Sequence, residues 1–517
     1  MKSLRAAWRA LAREQETSAT FSVVVVCLYM VFLVWAHVHH EAWRDEIHPW
    51  IIAKRAQGFW DIATGDRIYD GHPPLWYWYL RLWTWITHRP WGLHAANIAV
   101  MGAAALLLLR FGPFARVLKL GLLASYQVTF EYGVVSRNYG LGLLLVMVFC
   151  VRFHPLRPRL LGQAVVLGLL GLSSVYGLLM AACLFLTLVP LAMRIGRASV
   201  APVTIDLTLN PRLLGAALLL MTATAFSLYT TTPPDPNPAS PGWNFAALDG
   251  PALGSAARRL VITFFPVRYF DGPRYWGNVW AFWGDHQTVL SVATVALLLL
   301  LPLSLAPPWT SPSIFLLGAG LMAIVQISRY TGGPRHWGHW LILYLALCWI
   351  SRRLYPRRRH LLSSVILAVA ILFQFESLLA AVGRDRVDLF SGGPEAAAFI
   401  EKHGLQDLPL VAGPEDSVIS VFGHLGRVFI SAESEEVNET MVFHGRRRPF
   451  DETALVARAV EVGSARHSAV LLVSNRALPA PADPGIKFEE LFRNSQDGPH
   501  GENFVIYRLW ADTWRKP

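Results

Sequence analysis

The chain has 517 residues, of which 54% are hydrophobic and only 16% charged, where a soluble protein carries about a quarter charged residues. Its net charge of +11 sits in short Lys/Arg clusters between long apolar runs, the distribution that orients a polytopic membrane protein. These features exclude a soluble globular enzyme and give no signature of a nucleic-acid partner.

The N-terminal residues Lys2, Arg5, Arg9 and Arg13 read as cytoplasmic. The first apolar run, about 21–36, is the first crossing, too long and too continuous with the next segment to be a cleaved signal peptide. An outer loop of about 37–92 comes next. It holds Trp43-Arg44-Asp45-Glu46-Ile47-His48-Pro49 and Tyr69-Asp70-Gly71-His72-Pro73-Pro74-Leu75. The segment from Leu75 to Ile86 is Trp-rich and interrupted by Arg81, which predicts a helix lying along the outer interface. Parity supports that choice. If this segment does not cross, the clusters Arg110/Arg116/Lys119, Arg152/Arg157/Arg159 and Arg352/Arg353/Arg357/Arg358/Arg359 all fall inside; if it crosses, all fall outside, against the orientation rule.

Further crossings are predicted at about 94–110, 116–133, 137–152, 159–175, 176–193, 213–230, 287–306, 312–329, 335–351 and 361–382. The fold class is therefore a polytopic α-helical membrane protein of about eleven spans, with its C-terminal region outside. A second outer loop, about 231–286, opens on a Pro-rich stop and carries Trp243, Phe264, Phe265, Trp276 and Trp283, suggesting more interfacial segments. From about Gly383 the composition becomes that of a soluble domain. A helix at 394–404, strands at 408–412, 427–430, 469–473 and 504–507, and a helix at 453–462 predict a small α/β domain. The chain thus divides into a membrane domain, 1–382, and an outer domain, 383–517. Cys27, Cys150, Cys183 and Cys348 lie inside apolar runs and read as small hydrophobes.

Four clusters carry candidate chemistry. Asp45 and Glu46 stand at the outer end of the first crossing, where a carboxylate can hold an acceptor hydroxyl and take its proton; the plainer reading is a solvated pair neutralised by Arg44. Pro73 and Pro74 set the direction of the following segment and can aim His72 back towards that pair; the plainer reading is an interfacial His at a helix start. Glu131-Tyr132 and Ser136-Arg137-Asn138-Tyr139-Gly140 fall on the same outer side, where the Arg137 fork suits a lipid phosphate, unless it merely snorkels. Ser328-Arg329-Tyr330 and Pro334-Arg335-His336-Trp337-Gly338-His339 place two arginines and two histidines outside, against the cytoplasmic trend, which suggests an anion site. His336 and His339, at i and i+3, lack a third metal ligand at useful spacing. Arg268 and Arg274 are weaker candidates for anion binding.

The Asp-Glu pair followed by His-Pro-Pro-Leu and an aromatic interfacial helix resembles the GT-C superfamily of membrane glycosyltransferases. The pattern is similar to that of the protein O-mannosyltransferases and their bacterial relatives, the lipid A aminoarabinose transferases. The resemblance implies that Asp45 is the catalytic base or acceptor-positioning carboxylate, that Glu46 is its partner, and that His72-Pro73-Pro74-Leu75 is the family's His-Pro-Pro-Leu. Trp76-Tyr77 replaces the Gly-Lys of the eukaryotic mannosyltransferases, which favours a bacterial member with a different acceptor. Ser136–Gly140 is similar to the Ala-Arg-Met-Tyr type motif of many bacterial members.

The activity implied by the resemblance is transfer of a hexosyl or pentosyl group from a polyprenyl-phosphate donor to a glycan, lipid or protein acceptor, with inversion. Asp45, Glu46 and His72 would be catalytic, and Arg137, Tyr139, Arg329, Arg335 and His336 would hold the donor phosphate. The expected location is a bacterial inner membrane, with the site and the outer domain towards the periplasm. No cofactor is implied, no metal ligands are assigned, and dependence on a divalent ion stays open. Two other classes compete. A transporter or flippase for a lipid-linked sugar would place its ionisable groups near mid-bilayer, as Glu376 alone is placed here. A non-catalytic assembly subunit would not need the acidic pair on the same side as Arg137.

Overall fold

The computed structural model describes residues 14–65, 69–195, 210–235, 249–267, 281–305, 310–434, 436–438, 440–442, 445, 447–496 and 501–514. The N-terminal basic residues, Trp243, Trp276, Arg268 and Arg274 lie outside the described residues.

Seven described segments are long and apolar enough to cross a bilayer. They are α1 (Ala19–His39), α4 (Trp91–Phe111), the run Val175–Met193 that begins with α8 (Val175–Leu186), α9 (Pro211–Thr231), α11 (Gln287–Ser304), α12 (Thr310–Ser328) and α15 (Leu361–Asp385). Helices suit this solvent because each satisfies its own backbone polar groups. Their outer faces show Leu28, Val31, Leu299 and Leu372, side chains that lipid, not water, accommodates.

The four other expected crossings are shorter. Two form the apolar helices α6 (Asn138–Arg152) and α7 (Leu160–Gly171). A third, α14 (His339–Leu354), follows the one-turn α13 (Pro334–Trp337) and is buried almost all round. The fourth, at 116–133, is not one helix: α5 (Arg116–Leu123) stops, and Tyr126–Val134 forms a π-helix. Local polar side chains explain the break. Ser125 Oγ donates to the Leu122 carbonyl at 2.7 Å, and Thr129 Oγ donates to the Leu123 carbonyl, competing with continuation of the helix. The wide π-helix delivers the chain to Ser136 and Arg137.

Between α1 and α4 lie α2 (Arg44–Arg55) and α3 (Leu75–Thr84). The ten residues of α3 rise only about 15 Å, half a hydrocarbon core, so this segment does not cross. Trp76, Tyr77 and Leu80 are buried, which ties its inner face to the bundle. The acidic segment read as a loop is instead the first turn of α2. Helix α10 (Gly250–Phe264) falls in the second expected outer loop.

The C-terminal domain is a six-stranded sheet in the order β3-β2-β1-β4-β6-β5. Strands β1 (Leu410–Gly413), β2 (Phe429–Ser431) and β4 (Val470–Ser474) run parallel. Strands β3 (Val437–Asn438), β5 (Ile486–Arg493) and β6 (Val505–Ala511) join antiparallel. On one face, α16 (Gly393–Lys402) and α17 (Glu415–Leu425) pack Ile400, Val418 and Phe422 against Leu471, Val473 and Ile506. The same apolar cluster takes in Ile47 and Ile51 of α2, so the C-terminal domain and the site helix share a core. On the other face, α18 (Glu452–Arg466) buries Leu455, Val456 and Ala459.

Candidate active site

Adjacent residues on a helix point about 100° apart, and the acidic pair divides accordingly. Both carboxylates sit in the first turn of α2, where the helix dipole favours negative charge. Asp45 lines a cavity of about 430 Å3. Glu46 is fully buried and does not line it.

Glu46 instead closes a network beneath the site. His40 Nε2 lies 2.9 Å from Glu46 Oε2, and His40 Nδ1 lies 3.0 Å from Asp385 Oδ1 at the end of α15. Glu46 Oε1 accepts from the Ser136 amide at 2.6 Å. Burial alone would lower the His40 pKa, but Asp385 and Glu46 on its two nitrogens raise it well above the usual histidine value. Burial alone would raise Glu46; His40 outweighs it and holds the carboxyl below its ordinary value.

Around Asp45 the polarity reverses. Arg335 Nη2 donates to Asp45 Oδ2 at 2.6 Å, and Arg137 Nη1 donates to the Asp45 carbonyl. Burial opposes ionisation of Asp45, yet Arg335, Arg137 and Arg44 together hold its pKa below the usual carboxylate value. The Arg335 guanidinium also lies over the Trp43 ring, 5.0 Å from its centre, which fixes its plane.

Arg137 Nη2 donates to His72 Nε2 at 2.9 Å, so the proton of the neutral His72 ring is on Nδ1. Burial and then the Arg137 charge depress the His72 pKa to about 4. Next to it, Asp70 accepts from Tyr77 Oη and faces His48 Nδ1 at 3.5 Å. Burial raises Asp70, but His48, His72 and Arg137 bring it down to about 2.

The Gly333 amide donates to His336 Nδ1 at 3.0 Å. The ring proton is therefore on Nε2, and the Tyr139 oxygen 2.9 Å away accepts it. That bond leaves the Tyr139 hydroxyl proton for a ligand.

The structure thus brings Asp45, His72, Arg137, Tyr139, Arg329, Arg335 and His336 into one cavity wall; Glu46, expected beside them, lies behind it. His339 bonds the His336 carbonyl through Nδ1 at 2.8 Å. Among the described residues no group of three or more His, Cys, Asp or Glu is placed to hold a metal ion. Sequence reasoning missed Asp70, Tyr176 and Asp416 as cavity residues. Asp70 had a signal, since it stands two places before His72. Tyr176 sits in an apolar run, and its buried hydroxyl has no hydrogen-bond partner among the described residues. Asp416 comes from the C-terminal domain, where no motif marked it.

No family model and no curated protein matches the chain. Two solved structures are similar to it over nearly its whole length: ArnT from Cupriavidus metallidurans bound to undecaprenyl phosphate, and the same protein in the apo state. Each is 14% identical and covers 97% of this chain and 100% of its own, with TM-scores of 0.49 and 0.42 respectively.

Proposed function

We propose that this integral membrane protein is a glycosyltransferase that moves a sugar from a polyprenyl-phosphate donor to an acceptor hydroxyl at the outer membrane face. The observation that carries the reading is the ion pair of Asp45 with Arg335, set in a cavity that also holds Arg137 and Arg329. A carboxylate kept ionised beside several arginines combines a proton acceptor with a cradle for a phosphate leaving group.

In this mechanism the acceptor oxygen attacks the anomeric carbon and gives its proton to Asp45. The bond from that carbon to the phosphate oxygen breaks, and the electron pair leaves with the polyprenyl phosphate. Arg335 and Arg137 stabilise the charge that grows on the phosphate, and the Tyr139 hydroxyl donates to one of its oxygens. His72 acts on Arg137, accepting one of its N–H groups and fixing the fork. Glu46 is a positioning residue, holding the first turn of α2 through His40 and Ser136. Displacement from the face opposite the phosphate inverts the anomeric centre. The placement of Lys/Arg clusters supports a cavity on the non-cytoplasmic side, which in a bacterial inner membrane is the periplasmic side.

The test is sugar transfer from polyprenyl-phosphate donors by purified wild type and Asp45→Asn, with folding checked by thermal unfolding. Loss of roughly 10²–10⁴-fold in a folded variant, the range of general-base catalysis, is expected. Full transfer by Asp45→Asn would refute the mechanism.

A further inference from the structure

The outer domain does more than cover the membrane site: Asp416 and Met441 line the same cavity as Asp45. Their position follows from the sheet. From β1 the chain leaves through α17 towards β2 on one side, while β4, on β1's other side, leads away towards β6. The ends of β1 and β4 therefore flank a topological switch point, and in open α/β sheets ligands bind in the crevice outside the carboxyl ends of such strands. Asp416 and Ser417 follow β1, and Asn475 follows β4.

These groups are linked to the site helix. Arg44 Nη1 lies 3.5 Å from Asp416 Oδ2 and 3.4 Å from Ser417 Oγ, and Arg44 is the neighbour of Asp45. Asn475 Nδ2 donates to Ser417 Oγ at 3.1 Å and to the Gly501 carbonyl at 2.9 Å. Among the described residues its Oδ1 has no hydrogen-bond partner, and its amide holds Ser417 beside Asp416.

We propose that this crevice is the acceptor subsite, and that it takes the neutral, hydroxyl-rich end of a saccharide. The proposal rests on the glycosyl-transfer reading above and names its acceptor class. Three observations select the chemistry. The Asp416 carboxylate and the Arg44 guanidinium supply an acceptor and donors that neighbouring sugar hydroxyls need, and Met441 offers an apolar surface to a ring face. The charge of Arg44 is offset by Asp416, whose Oδ2 is 3.5 Å from Arg44 Nη1, so an anionic acceptor meets no net positive field here; the arginine excess is on the Arg137/Arg329/Arg335 wall. The crevice also lies at strand ends rather than along a sheet edge, so an extended peptide finds no ladder to join.

The test uses the full-length protein in nanodiscs and two binding readouts that need no turnover. Saturation-transfer NMR monitors a neutral disaccharide glycoside, its phosphorylated derivative and a Ser/Thr peptide; polyprenyl phosphate binding is followed by tryptophan fluorescence. Wild type is expected to bind the neutral glycoside. Asp416→Asn and, as a second variant on the other strand end, Asn475→Ala are expected to weaken it at least 5-fold while binding polyprenyl phosphate as wild type does. Equal glycoside binding in wild type and both variants overturns the subsite, and so does preference for the phosphorylated glycoside or the peptide. Glycoside binding lost in the variants, in a protein that binds no polyprenyl phosphate, keeps the crevice and removes the donor reading.

Discussion

Arg335 and Asp45, 290 positions apart, meet at 2.6 Å between Nη2 and Oδ2. The contact satisfies the carboxylate and competes with its proposed task. A donor phosphate draws on the same guanidinium, whose Nε is buried without a hydrogen-bond partner among the described residues. As Arg335 turns to the phosphate, Asp45 loses its strongest counter-charge and becomes a better base. Arg335→Gln is therefore expected to weaken polyprenyl phosphate binding and to cut transfer by at least tenfold. Arg335→Lys, a point charge without the fork, should recover binding in part and turnover less. Donor titration and initial rates on the three proteins check this. Because arginines hold Asp45 below its ordinary value, the acid limb of kcat/KM in wild type should lie below the usual carboxylate range, and should move up in Arg335→Gln.

The buried His40 bridge predicts a different pH signature. Its folded pKa is raised well above 6.5 by Asp385 and Glu46. A raised pKa means that the stabilisation is fully present below the unfolded value and fades as pH climbs through the folded one. Thermal stability should accordingly fall on the alkaline side in wild type. Removing His40 leaves two buried carboxylates facing each other, and breaking a buried pair costs about 3–5 kcal/mol. His40→Ala should therefore unfold at lower temperature, and the alkaline decline should vanish. Unfolding scans from neutral to alkaline pH distinguish this from a general loss of packing, which would shift all pH values alike.

How far the sequence revealed this site depends on which residues broke a pattern. Arg329 and Arg335 stood out because their expected place is outside, against the cytoplasmic clustering of most loop arginines, Arg137 because it sits in a Ser-Arg-Asn-Tyr-Gly run at a span boundary, and Asp45 because a carboxylate follows the first crossing. The long apolar runs gave the helices directly. The pairing of Asp45 with Glu46 misled, since neighbours in a chain part by 100° once they enter a helix. The break at Ser125 was illegible because apolar composition is blind to side chains that bond carbonyls locally. Asp416 was out of reach for another reason: its contact with Arg44 spans 372 positions. Strand β5, Ile486–Arg493, alternates exposed charges with half-buried apolar residues and so has no apolar run to mark it.

Glu502 gives a third test. Burial pushes its carboxyl up to about 7, against the pull of Ser391 and Arg44; Ser391 Oγ donates to Oε2 at 2.6 Å and the Arg44 amide to Oε1 at 3.1 Å. With the folded pKa above the ordinary 4.5, its contribution is complete below that value and is lost as pH rises from there to about 7. The full difference is on the order of 3 kcal/mol, at 1.36 kcal/mol per pKa unit. Glu502→Gln keeps a carbonyl oxygen for the Arg44 amide and never ionises. Its stability should be flat between pH 4.5 and 7, where wild type declines, as denaturant titration at several pH values would show.

The last prediction concerns how the outer domain meets the site. At Gly423 of α17, a methyl group would overlap Ile47 Cγ2 and stand 2.9 Å from Ile51 Cδ1. Ile47 is fully buried and directly follows the acidic residues of α2, and its branched Cβ leaves few rotamers in a helix. Gly423→Ala must therefore push α17 and α2 apart, at a cost of about 1–3 kcal/mol for overpacking, and carry Asp416 away from Arg44. Transfer should fall with the acceptor KM rising more than donor affinity changes, because Arg335 and Arg137 belong to the membrane bundle. Ile47→Ala in the same protein vacates the space the new methyl needs. If the double variant is no more active than Gly423→Ala, close packing of α17 on α2 is not what sets the outer wall of the cavity.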